Sequence, residues 1–225
     1  MSSDSDASAF WEDRYGDRPI WSGNVNRSTA DVAATLTPGT ALDLGSGEGG
    51  DAIWLATRGW TVTAVEISER AIDRARAAAE IAGVADRTTW VQADLATWTT
   101  DDRFDLVTAS FLHSPVAFPR TEVLRRAAAS VEPGGHLLVV GHAAFPPWSS
   151  HPDEHADDPA HEHDDPGSRL LGPEEQVADL ALDPSAWSIV LAERRSREAT
   201  GPDGAVATVE DTVVLARRTL NASAR

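Results

Sequence analysis

The sequence predicts an α/β fold: a doubly wound, mostly parallel sheet of seven strands, finished by a C-terminal antiparallel hairpin. Three observations predict it. Short β-branched or apolar runs alternate with stretches of helical periodicity from Thr40 to Val140. A glycine-rich loop, Gly45-Ser46-Gly47-Glu48-Gly49-Gly50, follows the first of those runs. After Gly141 the alternation breaks, and two strand-like runs flank the turn sequence Gly201-Pro202-Asp203-Gly204.

The elements follow in order. Residues 1–9 are small, polar and acidic, and read as a disordered tail. Residues 10–39 carry Phe10, Trp11, Tyr15 and Trp21 in a turn-rich stretch. They read either as an edge helix and loop or as a lid that keeps water from a pocket. Thr40–Leu44 is a buried strand and Gly45–Gly50 a loop. Asp51–Arg58 is a short helix stopped by Gly59. Thr61–Val65, rich in β-branched residues, is the second strand. Ser68 is an N-cap for a helix whose stripe is Ile72, Ala75, Ala79 and Ala82. Thr88–Val91 and Phe104–Ala109 are the third and fourth strands. Val123, Leu124, Ala127, Ala128 and Val131 share one helical face, and Pro133-Gly134-Gly135 turns into a fifth strand, His136–Val140. Pro173 opens a short helix to Leu180. Strands near Trp187–Arg194 and Val206–Ala216 complete the sheet. Residues 10–225 thus read as one domain, with a histidine-rich loop over residues 142–170.

A chain of 225 residues can bury the core such a domain needs. It has no cysteine, which excludes disulfides, thiolate metal sites and a cysteine nucleophile. Its formal net charge is −17, and all of its basic residues are arginine. Such a surface repels polyphosphates, so nucleic acid is not the expected partner. No apolar run approaches the ~20 residues of a membrane span, and the acidic start lacks the pattern of a secretory signal. A cytoplasmic protein without membrane partner is expected.

The chemistry sits where the strands end. Gly45, Gly47 and Gly50 satisfy the spacing of dinucleotide-binding loops, a weak signal alone. Glu66 closes the second strand, where a carboxylate can accept both hydroxyls of a ribose, with Ile67 beside it. An NAD-dependent oxidoreductase has such an acid too. Asp43 discriminates, because it precedes the glycine loop. A pyrophosphate repels a carboxylate there, whereas S-adenosylmethionine brings an ammonium and a sulfonium that attract one. Asp94 follows the third strand and can accept from an adenine amino group, with the Leu95 backbone reaching the ring. These three acids mark three consecutive strand ends.

These residues carry a resemblance. The run from Leu42 to Ala56, then Val62-Thr63-Ala64-Val65-Glu66-Ile67-Ser68, resembles the class I S-adenosylmethionine-dependent methyltransferases, whose domain is Rossmann-like. The branch it looks most like contains tellurite-resistance and thiopurine methyltransferase-like proteins. Phe10 to Asn26 resembles the N-terminal lid of that branch, and Phe104-Asp105-Leu106-Val107 and Pro133-Gly134-Gly135 its later motifs. The resemblance implies S-adenosylmethionine as cofactor, contacted by Asp43, Gly45, Ser46, Gly47, Glu66, Ile67, Asp94, Leu95 and Ser110. It also implies a small-molecule acceptor. Ser46 stands where many members carry cysteine, and the histidine-rich loop has no counterpart.

A methyl acceptor is expected above the fourth and fifth strands and under residues 10–39. His113 is the candidate general base, and Arg14, Tyr15, Trp21 and His142 the candidate acceptor contacts. The segment after the fourth strand, Ser110 to Pro115, lacks the acids of metal-dependent O-methyltransferases, so no metal is expected. His142, His151, His155, His161 and His163 match no metal-ligand spacing, and a solvated loop is the preferred reading over a zinc or nickel site. A non-catalytic ligand or metal sensor on the same fold is the alternative function.

Overall fold

A computed structural model describes residues 3–144, 170–201 and 204–220. Two helices, α1 (Ser3–Tyr15) and α2 (Arg27–Ala33), precede the sheet. The first half then runs β1 (Thr40–Leu44), α3 (Gly50–Thr57), β2 (Thr61–Glu66), α4 (Glu69–Ile81) and β3 (Thr88–Gln92). The second half runs β4 (Phe104–Ser110), α5 (Arg120–Ala129), β5 (Val131–His142), α6 (Pro173–Leu180), β6 (Trp187–Thr200) and β7 (Val206–Arg218). The strand order is β3-β2-β1-β4-β5-β7-β6. All pairs are parallel except β5 with β7 and β7 with β6. This is the seven-stranded α/β sheet expected from the sequence.

Strand periodicity explains the two layers. Along β5, Leu138 and Val140 face the core shared with α2, α3 and α4, while Leu137 and Val139 face the core shared with α5 and α6. Successive side chains of a strand point to opposite faces, so a strand buried on both reads as a continuous apolar run. Truncating a side chain such as the fully buried Leu138 to alanine costs about 2–5 kcal/mol through lost burial and the cavity left behind.

Helix starts follow local chemistry. Asn26 Oδ1 accepts from the Thr29 N–H at 3.0 Å, and Ser68 Oγ accepts from the Ala71 N–H at 3.2 Å. The order of strands reverses between β1 and β4, which opens a crevice at their carboxyl ends.

Four expectations need correction. α1 begins at Ser3, inside the segment expected to be disordered; Ala7 and Ala9 favour the helix. The Pro133-Gly134-Gly135 turn lies inside β5 instead of before it. The register against β4 slips there, and a Cβ on Gly135 would sit 2.9 Å from the Asp105 carbonyl oxygen, so the segment bulges without leaving the sheet. β6 continues past Arg194 to Thr200, because every second residue stays half-buried and every position keeps a partner on β7. β7 runs on to Arg218, two residues beyond Ala216.

Candidate functional site

The glycine loop leaves β1 with Gly45 at φ 69° and Gly47 at φ 53°. Both lie in the left-handed region that side chains other than glycine resist. Space reinforces the choice: a Cβ on Gly45 would fall 2.6 Å from Leu112 Cδ1, and one on Gly47 would fall 3.0 Å from the Tyr15 hydroxyl. The Gly45 and Ser46 N–H groups donate to the Val65 carbonyl at 2.9 and 3.1 Å, tying the loop to β2.

Around this loop stand three buried or nearly buried carboxyl groups. Asp43, at the end of β1, is 2% exposed, and its Oδ2 has no hydrogen-bond partner; neither does the buried Ser46 Oγ. Burial, then the neighbouring charges of Asp51 and Glu66, holds the Asp43 carboxyl well above the usual carboxylate range. Asp51 opens α3, and its Oδ1 accepts from the Asn26 N–H at 2.7 Å. Burial raises it too, opposed by hydrogen bonds from Ser110, Asn26 and Thr29. Glu66 accepts from the Gly47 N–H at 2.9 Å and the Ser68 N–H at 3.0 Å; burial nevertheless raises it. Among the described residues, no cation relieves Asp43.

The N-terminal segment covers the loop. Tyr15 is 4% exposed, and the indole N–H of the exposed Trp21 points to its hydroxyl at 3.4 Å. Burial and the charges of Glu66 and Glu48 push the Tyr15 phenol above its ordinary range. Glu12 docks α1 on α4, accepting from the Glu69 N–H at 2.7 Å and the Ser68 hydroxyl at 3.1 Å. Arg74 binds Glu48 at 2.8 Å and the carbonyls of Tyr15 and Gly16. Glu48 in turn accepts from the Trp21 N–H at 3.1 Å. Arg14 is exposed, apart from this network.

Beyond β3, Asp94 Oδ1 accepts from the Ala96 N–H at 2.8 Å, which bends the chain so that Leu95 is buried. Ile67 is half-buried after Glu66.

The ends of β4, β5 and β7 carry a second cluster. Ser110 Oγ and Thr29 Oγ1 lie 2.7 Å apart. Phe111 takes φ 51°, a costly conformation for an aromatic residue, and its ring stacks on His142 at 4.3 Å. The His113 ring lies parallel to His142 at 6.0 Å. His142 Nδ1 faces Asp211 Oδ1 at 3.7 Å, and Asp211 is fully buried. Asp211 Oδ2 takes the Arg197 Nε–H at 2.7 Å and the Ser28 hydroxyl at 3.4 Å. Despite burial, the neighbouring His142 and the hydrogen bond and charge of Arg197 lower the Asp211 carboxyl below its usual range.

The structure therefore brings Asp43, Gly45, Ser46, Gly47, Glu66, Tyr15 and Trp21 together at one crevice, and Ser110, His113 and His142 beside it. Sequence reading missed Asp51, taken as the start of a helix, and Asp211. The signal for Asp211 was there: Glu210-Asp211-Thr212 is a polar break in an otherwise apolar strand. It also missed Ser28 and Thr29, whose buried hydroxyls reach the two clusters from adjacent positions on α2. His151, His155, His161 and His163 lie outside the described residues.

Comparison with known proteins matches residues 41–135 to a family described as methyltransferase domain. The chain is 40% identical over 134 residues to 27-O-demethylrifamycin SV methyltransferase of Amycolatopsis mediterranei, covering 58% of this chain and 48% of that one. It is 36% identical over 102 residues to tRNA 5-carboxymethoxyuridine methyltransferase of Escherichia coli, covering 44% of this chain and 38% of that one. The chain thus spans less than half the length of these relatives. The structure of TehB from Haemophilus influenzae shares the fold, with a TM-score of 0.66 and 17% identity over 92% of this chain and 67% of that one. Among the described residues, no helix is long and apolar enough to cross a membrane.

Proposed function

We propose that this chain, a class I S-adenosylmethionine-dependent methyltransferase by its domain and fold, transfers the methyl group to a small-molecule acceptor. One observation carries the reading. Asp43 is a buried carboxyl group that has, among the described residues, an unpartnered oxygen and no cation, set against a loop whose glycines admit close approach. That donor set fits the ammonium and sulfonium of S-adenosylmethionine and opposes a pyrophosphate.

Asp43 and Ser46 would hold the amino-acid end, Gly45 and Gly47 would let it approach, and Ser110 would close that side. Glu66, its oxygens already fixed by backbone N–H groups, would take the ribose hydroxyls with Ile67 alongside. Asp94 and Leu95 would bound the adenine. The cofactor supplies an electrophilic methyl carbon; the chain's own work is to align the acceptor with it and exclude water. Tyr15 and Trp21 would cover the reacting centre, with Arg14 at the rim. His113 and His142 stand on the acceptor side, where a proton can be received. The net charge of −17 supports a small acceptor over a nucleic acid, although one relative is named for a tRNA substrate. A cytoplasmic setting agrees with a cysteine-free chain.

Calorimetry on the full chain tests this. S-adenosylhomocysteine and S-adenosylmethionine are expected to bind with micromolar affinity, about −8 kcal/mol, and Asp43→Ala and Glu66→Ala to weaken both. Binding of NAD alone, or of none of the three, overturns the reading.

A further inference from the structure

The two histidines on the acceptor side are not equivalent. His113 Nε2 packs against Gly141: a Cβ there would meet it at 3.2 Å and Arg120 Nη2 at 3.8 Å. Arg120 is 2% exposed and donates to the Leu112 carbonyl at 3.0 Å and to Gln176 Oε1 at 2.8 Å, so a buried guanidinium lies on the same side of Gly141 as His113.

His142 faces a carboxylate instead. Its buried Nδ1 faces Asp211 Oδ1 at 3.7 Å, and neither atom has a hydrogen-bond partner. The other Asp211 oxygen is already committed to Arg197 and Ser28. The free oxygen and the ring nitrogen thus face each other with a single approach between them. Phe111, in its left-handed conformation, holds the ring from one face. The side chain is 28% exposed, and with Nδ1 buried that exposure falls elsewhere on the ring. Among the described residues, the charged or titratable groups around it are Asp211 on β7, Arg197 on β6 (over the Phe111 ring at 5.4 Å) and His113 after β4.

We propose that His142 is the general base of this enzyme, that Asp211 is its positioning residue, and that the acceptor is an alcohol or phenol. This rests on the methyltransferase reading above. A thiolate needs no base near neutral pH, whereas a hydroxyl keeps its proton and requires one. As the acceptor oxygen bonds to the methyl carbon, its proton passes to His142 Nε2. The electrons of the broken carbon–sulfur bond stay on sulfur, which becomes a neutral thioether. Asp211 balances the imidazolium until the proton leaves to solvent. It also fixes the neutral ring with its proton on Nδ1, so that Nε2 is the basic atom.

The test uses nitrogen-15 histidine NMR on the wild-type chain, His142→Gln for assignment, and Asp211→Asn. S-adenosylhomocysteine calorimetry checks that each variant is folded at the crevice. Wild-type His142 is expected as the Nδ1–H tautomer, and that tautomer is expected to lose population in Asp211→Asn. An Nε2–H tautomer in the wild type, or an unchanged tautomer population in Asp211→Asn, overturns the pair. With labelled S-adenosylmethionine, catechol, which keeps its protons near neutral pH, and 4-nitrobenzenethiol serve as probe acceptors. Transfer to the catechol, reduced at least 100-fold in His142→Gln and less in Asp211→Asn, supports the assignment. Transfer to the thiol alone, or to the catechol at an undiminished rate in His142→Gln, overturns it. Wild-type protein that fails to bind S-adenosylhomocysteine sinks the parent reading instead.

Discussion

The carboxyl ends of β1 and β2 and the carboxyl end of β5 with its neighbour β7 both bury aspartate, yet with opposite electrostatic results. Asp43, 2% exposed, has two acids for neighbours and a carboxyl raised well above its ordinary range. Asp211, 0% exposed, has Arg197 at 2.7 Å and His142 at 3.7 Å, and its carboxyl is lowered. Burial raises both carboxyls, and the partners around each decide the sign of the shift. Among the described residues, the second cluster holds its own cation, Arg197. The first holds none against Asp43, and a cationic ligand would supply one. The contrast separates an acid paired within the chain from one whose charge is left unbalanced.

Removing the cation from the second cluster gives the largest expected effect. Arg197→Ala leaves Asp211 buried with half its hydrogen bonding gone. Breaking one side of a buried pair costs roughly 3–5 kcal/mol, and the 19% exposure of the Arg197 side chain puts the expected value at about 3. For a chain of this size that lowers Tm by roughly 10 °C in a thermal melt. A Tm within about 2 °C of wild type erases the distinction drawn between the clusters.

The first cluster should respond with the opposite sign. Asp43→Asn removes a desolvated acid that no cation among the described residues balances, so the ligand-free Tm is expected to hold or rise. Affinity for S-adenosylhomocysteine is expected to fall about 100-fold, roughly 2.7 kcal/mol, by calorimetry. A fall in Tm together with unchanged affinity makes Asp43 an ordinary structural acid.

The reason one cluster was legible in the sequence and the other was not is geometric. Asp43, Glu66 and Asp94 each lie at or just past the carboxyl end of a strand, so a local pattern of strand, loop and helix places them. Asp51 meets Ser110 and Thr29, and Asp211 meets Ser28 and Arg197, through contacts between elements far apart in the chain. No local periodicity encodes those meetings. The same holds for the fold: β1 to β4 were visible as runs with turn residues at each end. The bulge in β5 was hidden because Pro133-Gly134-Gly135 satisfies a turn and a bulge equally well, and pairing with β4 decides between them. The start of α1 was hidden because its polar, acidic residues masked the helix propensity of Ala7 and Ala9, and its docking on α4 through Glu12 is a contact that composition does not show.

Acidity offers a way to watch both clusters at once. An acid held above its ordinary range disfavours the native state wherever it is ionised. Asp43, Asp51 and Glu66 therefore remove stability as pH rises from the ordinary carboxylate range through their raised values. Asp211 contributes stability above the ordinary range, which is lost as pH falls through its lowered value. Melts between about pH 3 and pH 8 should show Asp43→Asn gaining on wild type as pH rises, and Asp211→Asn losing most at the neutral end. Affinity for S-adenosylhomocysteine should rise over the window in which the Asp43 group ionises.

The smallest expected effect concerns the cover over the first cluster. The Tyr15 hydroxyl meets Trp21 Nε1 only at 3.4 Å, near the limit of a hydrogen bond, while the ring is 4% exposed. Its role is therefore mainly to fill space over Gly47. The phenol is raised above its ordinary range, so it stays neutral wherever the protein is folded and adds nothing to the pH dependence. Tyr15→Phe keeps the ring and should cost less than about 1 kcal/mol of stability and about threefold in S-adenosylhomocysteine affinity. Tyr15→Ala, which opens the cover, should cost at least tenfold in affinity. If Tyr15→Phe matches Tyr15→Ala, the hydroxyl itself touches the ligand. The covering segment then belongs with the acids of the first cluster as part of what recognises the cofactor, and the crevice is closed by a bond where packing alone was inferred.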